Sequence, residues 1–181
     1  MSLYGASVEY GLHCLLYLVD PPEGVRPSSR DLAEFQGVSP AFIAKLFTQF
    51  EKVGIVRASE GVSGGFSLAR PASSISVLDV ADALEGGKPL FQCREVRDRC
   101  VLNDSSKAKP SKRGVCAIHA VMLEGERRMR EALAETSLAD IADEVAGKQS
   151  ERLVAARRQW FEDRVHSRRA SSRHIPIKKG D

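Results

Sequence analysis

Val8, Leu12, Leu15, Leu16 and Val19 recur at helical spacing and predict an amphipathic helix over residues 4–19. The proline-rich stretch 21–27 ends it. Ser29 reads as the N-cap of a short helix over residues 30–36, and Gly37 as its C-terminal stop. Ser39-Pro40 restarts the chain as a helix. The serine hydroxyl can accept from exposed backbone N–H groups, and proline suits the first helical position, where a missing N–H costs nothing. Ile43, Leu46, Phe50 and Val53 form the buried stripe of that helix, and Gly54 closes it. Two helices joined by a short turn through Gly37 predict a helix-turn-helix.

Residues 55–57 and 65–69 read as strands joined by the Gly/Ser-rich loop 59–64, which makes a hairpin. A helix-turn-helix followed at once by a hairpin predicts a winged helix. A short helix over 78–84 ends at Gly86-Gly87. A long helix is expected over 116–136, carried by Ala117, Val121, Met129 and Leu133, with a further turn or two over 138–145. Beyond Glu151 a basic helix is expected around Trp160 and Phe161, and residues 171–181 read as disordered. The expected fold is mainly α with a small β-hairpin wing. Its divisions are a winged helix-turn-helix over 1–87, a cysteine-bearing loop over 88–115, a long helix with its short successor over 116–146, and a basic tail over 147–181.

Composition refines this picture in three ways. A chain of 181 residues with 43% apolar content supports one compact domain with appendages. No run reaches about 18 apolar residues, so no membrane span is expected. The N-terminal apolar stretch lacks a positive leading region and contains Glu9 and His13, which argues for a helix of the fold and a cytoplasmic protein. The net charge of +3 hides an asymmetry, because residues 146–181 carry ten Lys/Arg and four Asp/Glu, a net +6. The head is weakly acidic, at −1 over residues 1–75, which keeps a protein-docking role open beside nucleic-acid binding. No nucleophile–base pair, phosphate loop or paired carboxylate stands out, so no catalytic residues are assigned.

In a winged helix the second helix of the helix-turn-helix enters the major groove with its N-terminal residues toward base edges. Those residues are Ser39, Ala41, Phe42, Lys45 and Gln49. Gln can read adenine in bidentate fashion, and Lys can read guanine or hold a phosphate. Arg57 and Ser63 are the expected wing contacts. For any one of these residues, a solvated polar face is the simpler alternative.

The remaining chemistry lies in cysteine. Cys93, Cys100 and Cys116 are separated by six and fifteen residues, wider than the close pairs of zinc fingers and unlike the common ferredoxin runs. Thiolates are soft ligands, and three thiols in a basic irregular segment point to a metal cluster or to redox chemistry. Glu9 and His13, at i, i+4 spacing, share one face of the first helix. On their own they read first as an exposed pair on the solvent face, and second as ligands. Cys14 points away from that face and reads as a small core residue. His119, on the helix that follows Cys116, reads as a surface residue or as a neighbour of the metal site.

The segments YGLHCLLYL (10–18), DLAEFQGVSPAFIAKLFTQFEKVGIV (31–56), GVSGGFSLARP (61–71) and ISVLDVADALEG (75–86), with the three cysteines and the following helix, resemble the Rrf2 family of bacterial winged-helix transcriptional regulators. The resemblance covers roughly residues 1–145. It implies a homodimer held by the long helix after Cys116, a roughly palindromic double-stranded operator, and an iron–sulfur sensor. In the two-iron redox-sensing type, a Glu and a His on the first helix of one subunit complete a [2Fe–2S] cluster held by two cysteines of the other. Glu9, His13, Cys93 and Cys116 match that pattern. Most of the family uses three cysteines, so Cys100 competes with Glu9 and His13 for the remaining positions. Ala44 replaces an acidic residue used by some relatives for base reading, which implies a different operator. A metal-free thiol/disulfide or metabolite switch on the same winged helix is the alternative function.

Overall fold

In a computed structural model of the chain, residues 3–61, 64–94, 96 and 116–173 are described. Helix α1 (Ala6–Leu16) runs into α2 (Ser29–Gln36) and α3 (Pro40–Lys52). The hairpin β1 (Val56–Ser59) and β2 (Gly65–Leu68) follows. A short 3₁₀ turn (Ala72–Ser74) leads to α4 (Val77–Glu85). The C-terminal part holds α5 (Ala117–Glu135), α6 (Leu138–Lys148) and α7 (Glu151–Arg173). The fold is the mainly helical winged helix-turn-helix that the sequence predicts.

Three helices start with the same device. Ser28, Ser76 and Ser137 each accept from the backbone N–H three residues on, and Asp31, Asp79 and Asp140 each accept from the serine N–H in return. This reciprocal box satisfies donors that a helix start otherwise leaves unpaired. It also corrects the sequence reading of Ser29 as the first cap. Three residues beyond Ser29 stands Leu32, which cannot reciprocate, whereas Ser28 has Asp31 at 2.8 Å from its N–H. At the other end of α2, Gly37 takes φ +68°, and its N–H bonds back to the Glu34 carbonyl at 3.2 Å. That left-handed residue makes the tight turn into α3.

The core lies where α1, α2, α3 and α4 meet. Leu15, Leu32, Ile43, Phe47, Phe50 and Val80 are buried there. Gly11 has no room for a side chain, since a Cβ would sit 2.8 Å from Leu84 Cδ1 and 2.9 Å from Phe50 Cζ. The caps of α4 and α6 are stitched together. Val77 N–H donates to the Thr136 carbonyl at 2.9 Å, and Leu138 N–H donates to the Ile75 carbonyl at 2.8 Å. This short antiparallel bridge places Leu138 in the core of the head, although it follows the long helix α5.

The basic helix expected around Trp160 and Phe161 is α7, and it packs on the head. Phe161 and Val165 are buried in the same core. Phe35 meets the Trp160 and Phe161 rings at 5.0 Å each, and Tyr17 meets Phe161 at 5.4 Å. Its arginines turn toward carboxylates: Arg158 to Asp20, Arg164 to Glu34, and Arg168 to Asp31. Asp31 is only 2% exposed, so its charge needs these partners.

If α7 belongs to this core, Phe161→Ala lowers unfolding stability by about 3–4 kcal/mol through the cavity it leaves. Leu153→Ala, at an exposed position of the same helix, stays within about 0.5 kcal/mol. Urea denaturation of the two variants checks this, and equal small losses would show that α7 is a peripheral tail.

Candidate nucleic-acid interface and thiol site

The recognition helix is built for exposure along one edge. Ser39 caps it, its Oγ accepting from Phe42 N–H at 3.2 Å, with Pro40 at the first position. Ala41, Ala44, Lys45 and Thr48 are exposed, while Ile43, Leu46, Phe47 and Phe50 face inward. Phe42 is half-buried with its ring edge-on to Tyr10 at 5.6 Å, and Gln49 is half-buried. Thus Ala41 and Lys45 lie fully on the outer face, whereas Phe42 is shared with the core. Thr48 is an addition that the sequence reading passed over. Its Oγ1 donates to the Ala44 carbonyl at 2.9 Å, and it lies on the exposed row of Ala41 and Lys45. Extending that row by helical spacing would have found it.

The wing pairs Val56 with Leu68, Arg57 with Ser67, Ala58 with Phe66, and Ser59 with Gly65. Arg57 is exposed and donates from Nε to Ser67 Oγ at 3.1 Å, so its guanidinium stands on the outer face of the sheet. Phe66 anchors the inner face against Phe47 at 4.6 Å. Glu51, on the last turn of α3, accepts from Ala58 N–H at 3.2 Å and ties the recognition helix to the wing. Ser63 lies outside the described residues. After the wing, Arg70 pairs with Asp79 at 3.0 Å. Partial burial of Asp79 acts to raise its pKa, but bonds from Ser76 and Arg70 outweigh this and hold it below the usual range.

The thiol region is held at the N-terminal end of α5. Cys116 is the N-cap residue of that helix and is half-buried, as is Cys93. The segment bearing Cys93 is pinned to α5 at two points. Leu90 N–H donates to Glu126 Oε2 at 3.2 Å, and the Phe91 ring meets His119 at 5.8 Å. His119, three residues after Cys116, therefore packs beside the segment that carries Cys93. Farther down, Arg130 grips Asp82 of α4 in bidentate fashion at 3.0 and 2.7 Å. Glu85, at the end of α4, accepts from Gly5 N–H at 3.2 Å and from Ser7 Oγ at 3.0 Å. The root of the Cys93 segment is thereby tied to the start of α1.

Glu9 and His13 are exposed on α1. Among the described residues, no three His, Cys, Asp or Glu side chains of one chain converge as a metal-holding group. Cys100 lies outside the described residues. The donor types suit a shared site: a half-buried thiol at a helix N-terminus, a second half-buried thiol on the segment before it, and an exposed carboxylate–imidazole pair on a separate helix. Cys14 differs in kind. Burial pushes its thiol up to about 12, which keeps it protonated and inert, in agreement with its reading as a core residue.

Among the described residues, nothing covers one face of α5. Ile118 is 70% exposed and Val121 71% exposed, with Met122 and Leu123 also open. Ile118, Val121 and Met122 follow i, i+3, i+4 spacing and so form one apolar stripe. No described helix is long and apolar enough to cross a membrane.

A helix-turn-helix with a two-stranded wing, an exposed recognition edge and a separate long helix defines a winged-helix DNA-binding regulator. The chain belongs to the Rrf2 family, whose model, described as an iron-dependent transcriptional regulator, matches residues 4–144. YffB of Lactococcus lactis, which carries the name of an HTH-type transcriptional regulator, is 35% identical over 136 residues, covering 75% of this chain and 84% of that protein. Rv1287 of Mycobacterium tuberculosis, similarly named, is 32% identical over 137 residues, covering 76% and 79%. Among solved structures, CymR of B. subtilis, titled the global cysteine regulator, superposes with a TM-score of 0.62 at 20% identity, covering 79% of this chain and 98% of that one. IscR of T. potens gives 0.61 at 20% identity, covering 83% and 92%. Helix α7 lies beyond the span of the family model.

The thiols predict a reactivity order. With limiting iodoacetamide at pH 8 under native conditions, Cys93 and Cys116 are modified well before Cys14, because the thiolate is the nucleophile. Site-resolved mass spectrometry reads the order, and early labelling of Cys14 would contradict it.

Proposed function

We propose that the chain works as a homodimeric transcriptional regulator whose grip on a pseudo-palindromic duplex responds to a [2Fe–2S] cluster. Ser39, Ala41, Phe42, Lys45 and Gln49 face the major groove, with Arg57 and Ser63 serving the wing. The exposed stripe of α5 supports the dimer, since a contiguous exposed apolar patch marks an interaction surface. Winged-helix regulators of this family are typically dimeric, which agrees with that stripe.

The observation that supports the sensor reading is that Cys116 caps the helix bearing the stripe, while the segment leading to Cys93 packs on the same helix through Phe91 and His119. Residues at this end of α5 lie near a dimer seam, where a second copy could bring its own α1. Cys93 and Cys116 of one subunit, with Glu9 and His13 of the other, would then supply four ligand positions. Cys100 is the competing donor. A [2Fe–2S] group supplies one-electron redox chemistry and ligand exchange when bound. The protein residues couple it to DNA by position. Donors drawn from two subunits fix the angle between two heads, and that angle sets the fit to half-sites about one helical turn apart.

The second reading, a metal-free thiol switch, has a specific observation in its favour. Cys93 and Cys116 are both free and half-buried thiols, and a related fold, Staphylococcus aureus CymR, has been solved in a form titled oxidized. An anaerobic visible spectrum with iron and sulfide analysis separates the two readings. Colour with two irons and two sulfides per site supports the cluster, and its loss in Glu9→Ala, His13→Ala or Cys100→Ala assigns the remaining ligands. Colourless protein whose DNA affinity still changes on thiol oxidation supports the switch.

For the DNA interface, Lys45→Ala weakens binding to a duplex selected from a random-sequence pool by about tenfold, consistent with the loss of one base or phosphate contact. Unchanged affinity, measured by fluorescence anisotropy, would remove Lys45 from the interface.

A further inference from the structure

Arg168 lies on α7, outside the span of the family model, yet it touches the wing. Its Nη1 donates to the Gly64 carbonyl at 2.7 Å. Its Nη2 donates to the Arg26 carbonyl at 3.0 Å and pairs with Asp31 Oδ2 at 3.2 Å. One guanidinium thus joins three segments: the N-cap box of α2, the extended stretch before it, and the closing residue of the wing turn.

We propose that Arg168 is a positioning residue that locks the wing against the head and so sets how the wing meets DNA. This rests on the DNA-binding reading above and adds a residue to it. The wing needs such a lock. Its two strands have four residues each, and a hairpin of that size is marginal alone. Its root is crowded in a way that gives it one seating. A Cβ on Gly65 would lie 2.1 Å from the Arg26 carbonyl oxygen, and Phe66 N–H donates to the Pro27 carbonyl at 2.9 Å. A Cβ on Gly64 would lie 2.4 Å from the Ser59 carbonyl oxygen, so the turn is compact where Arg168 grips it.

The chemistry requires arginine. A planar fork can serve two carbonyls and a carboxylate together, whereas a lysine ammonium is a point donor on a flexible stem. Arg168 is also an unsuitable phosphate ligand, since its side chain is 25% exposed and its charge is matched by buried Asp31. Its influence on DNA therefore runs through the wing. Arg164 provides the internal control. It supports the same Asp31, at 3.7 Å, and reaches Glu34 instead of the wing.

The test uses the full chain and a duplex that the wild-type protein selects from a random-sequence pool. Hydroxyl-radical footprinting separates the flanks, which the wing protects, from the centre of each half-site, which α3 protects. Arg168→Ala loses flank protection, keeps central protection and binds about tenfold more weakly. Arg164→Ala keeps both footprints and binds within about twofold of wild type. Arg168→Lys retains a charge for Asp31 and still loses flank protection, so it decides the matter if Arg168→Ala fails to fold. Flank protection at wild-type level in Arg168→Lys or Arg168→Ala overturns the proposal. So does equal loss in Arg164→Ala, which would reduce the effect to general stability. A wild-type chain that selects no duplex overturns the DNA reading itself.

Discussion

The buried carboxylate of Asp31 is the constraint on which the head is organised. A charged group at 2% exposure is costly unless its oxygens are met by donors and its charge by a cation. Ser28 meets it from below through the capping box, which starts the first helix of the helix-turn-helix. Arg168 and Arg164 meet it from above, and both belong to the last described helix. The sequence separation between these groups is large, so the requirement of one carboxylate fixes the C-terminal helix against the DNA-reading module. Hydrophobic burial of Phe161 and Val165 supplies the driving force for docking, and the ion pairs set its register. Polar matching determines which turn of α7 faces Asp31.

Much of the fold was legible because its signals are local. Helical spacing in α1, the Ser39-Pro40 start of α3, and glycines at helix ends each report a physical need within a few residues. Errors arose where two local choices competed. Ser28 and Ser29 are both good caps, and only the partner three residues on separates them. Leu138 reads as the start of a short helix, but nothing local shows that its N-cap strand-pairs with residues before α4 and drops it into the head core. Likewise, Trp160 and Phe161 announce a buried patch without naming Tyr17 and Phe35 as the surface they cover. Tertiary partners distant in sequence leave no periodic trace in either partner alone.

The candidate site divides along the same line. The recognition face follows from helix geometry, so Ala41 and Lys45 emerge on the outer edge as the spacing indicates, and Thr48 belongs to the same row. Cys14 and Cys93 show the opposite situation. Both are single thiols in sequence, and only burial separates an inert core residue from a half-buried one. The proposed ligand set adds a further difficulty, because Glu9 and His13 are exposed and, among the described residues, no intrachain grouping draws them to the cysteines. A site completed by a second copy is invisible to periodicity, and it becomes arguable only from the resemblance and from an uncovered apolar stripe.

The positive charge of α7 is matched by the head. A net +6 over residues 146–181 suggests, by itself, a nucleic-acid-binding tail. The arrangement shows a different use for part of it, since Arg158, Arg164 and Arg168 face Asp20, Glu34 and Asp31 of a weakly acidic head. Positive charge on the tail and negative charge on the head are two halves of one interface. The same helix packs on Tyr17, just beyond the end of α1, at one side and holds the wing root at the other. Since α1 also carries Glu9 and His13, α7 spans the distance from the proposed sensing helix to the wing through a continuous set of packed contacts. Physical continuity of this kind gives the two sites a shared rigid element whose seating each can bias.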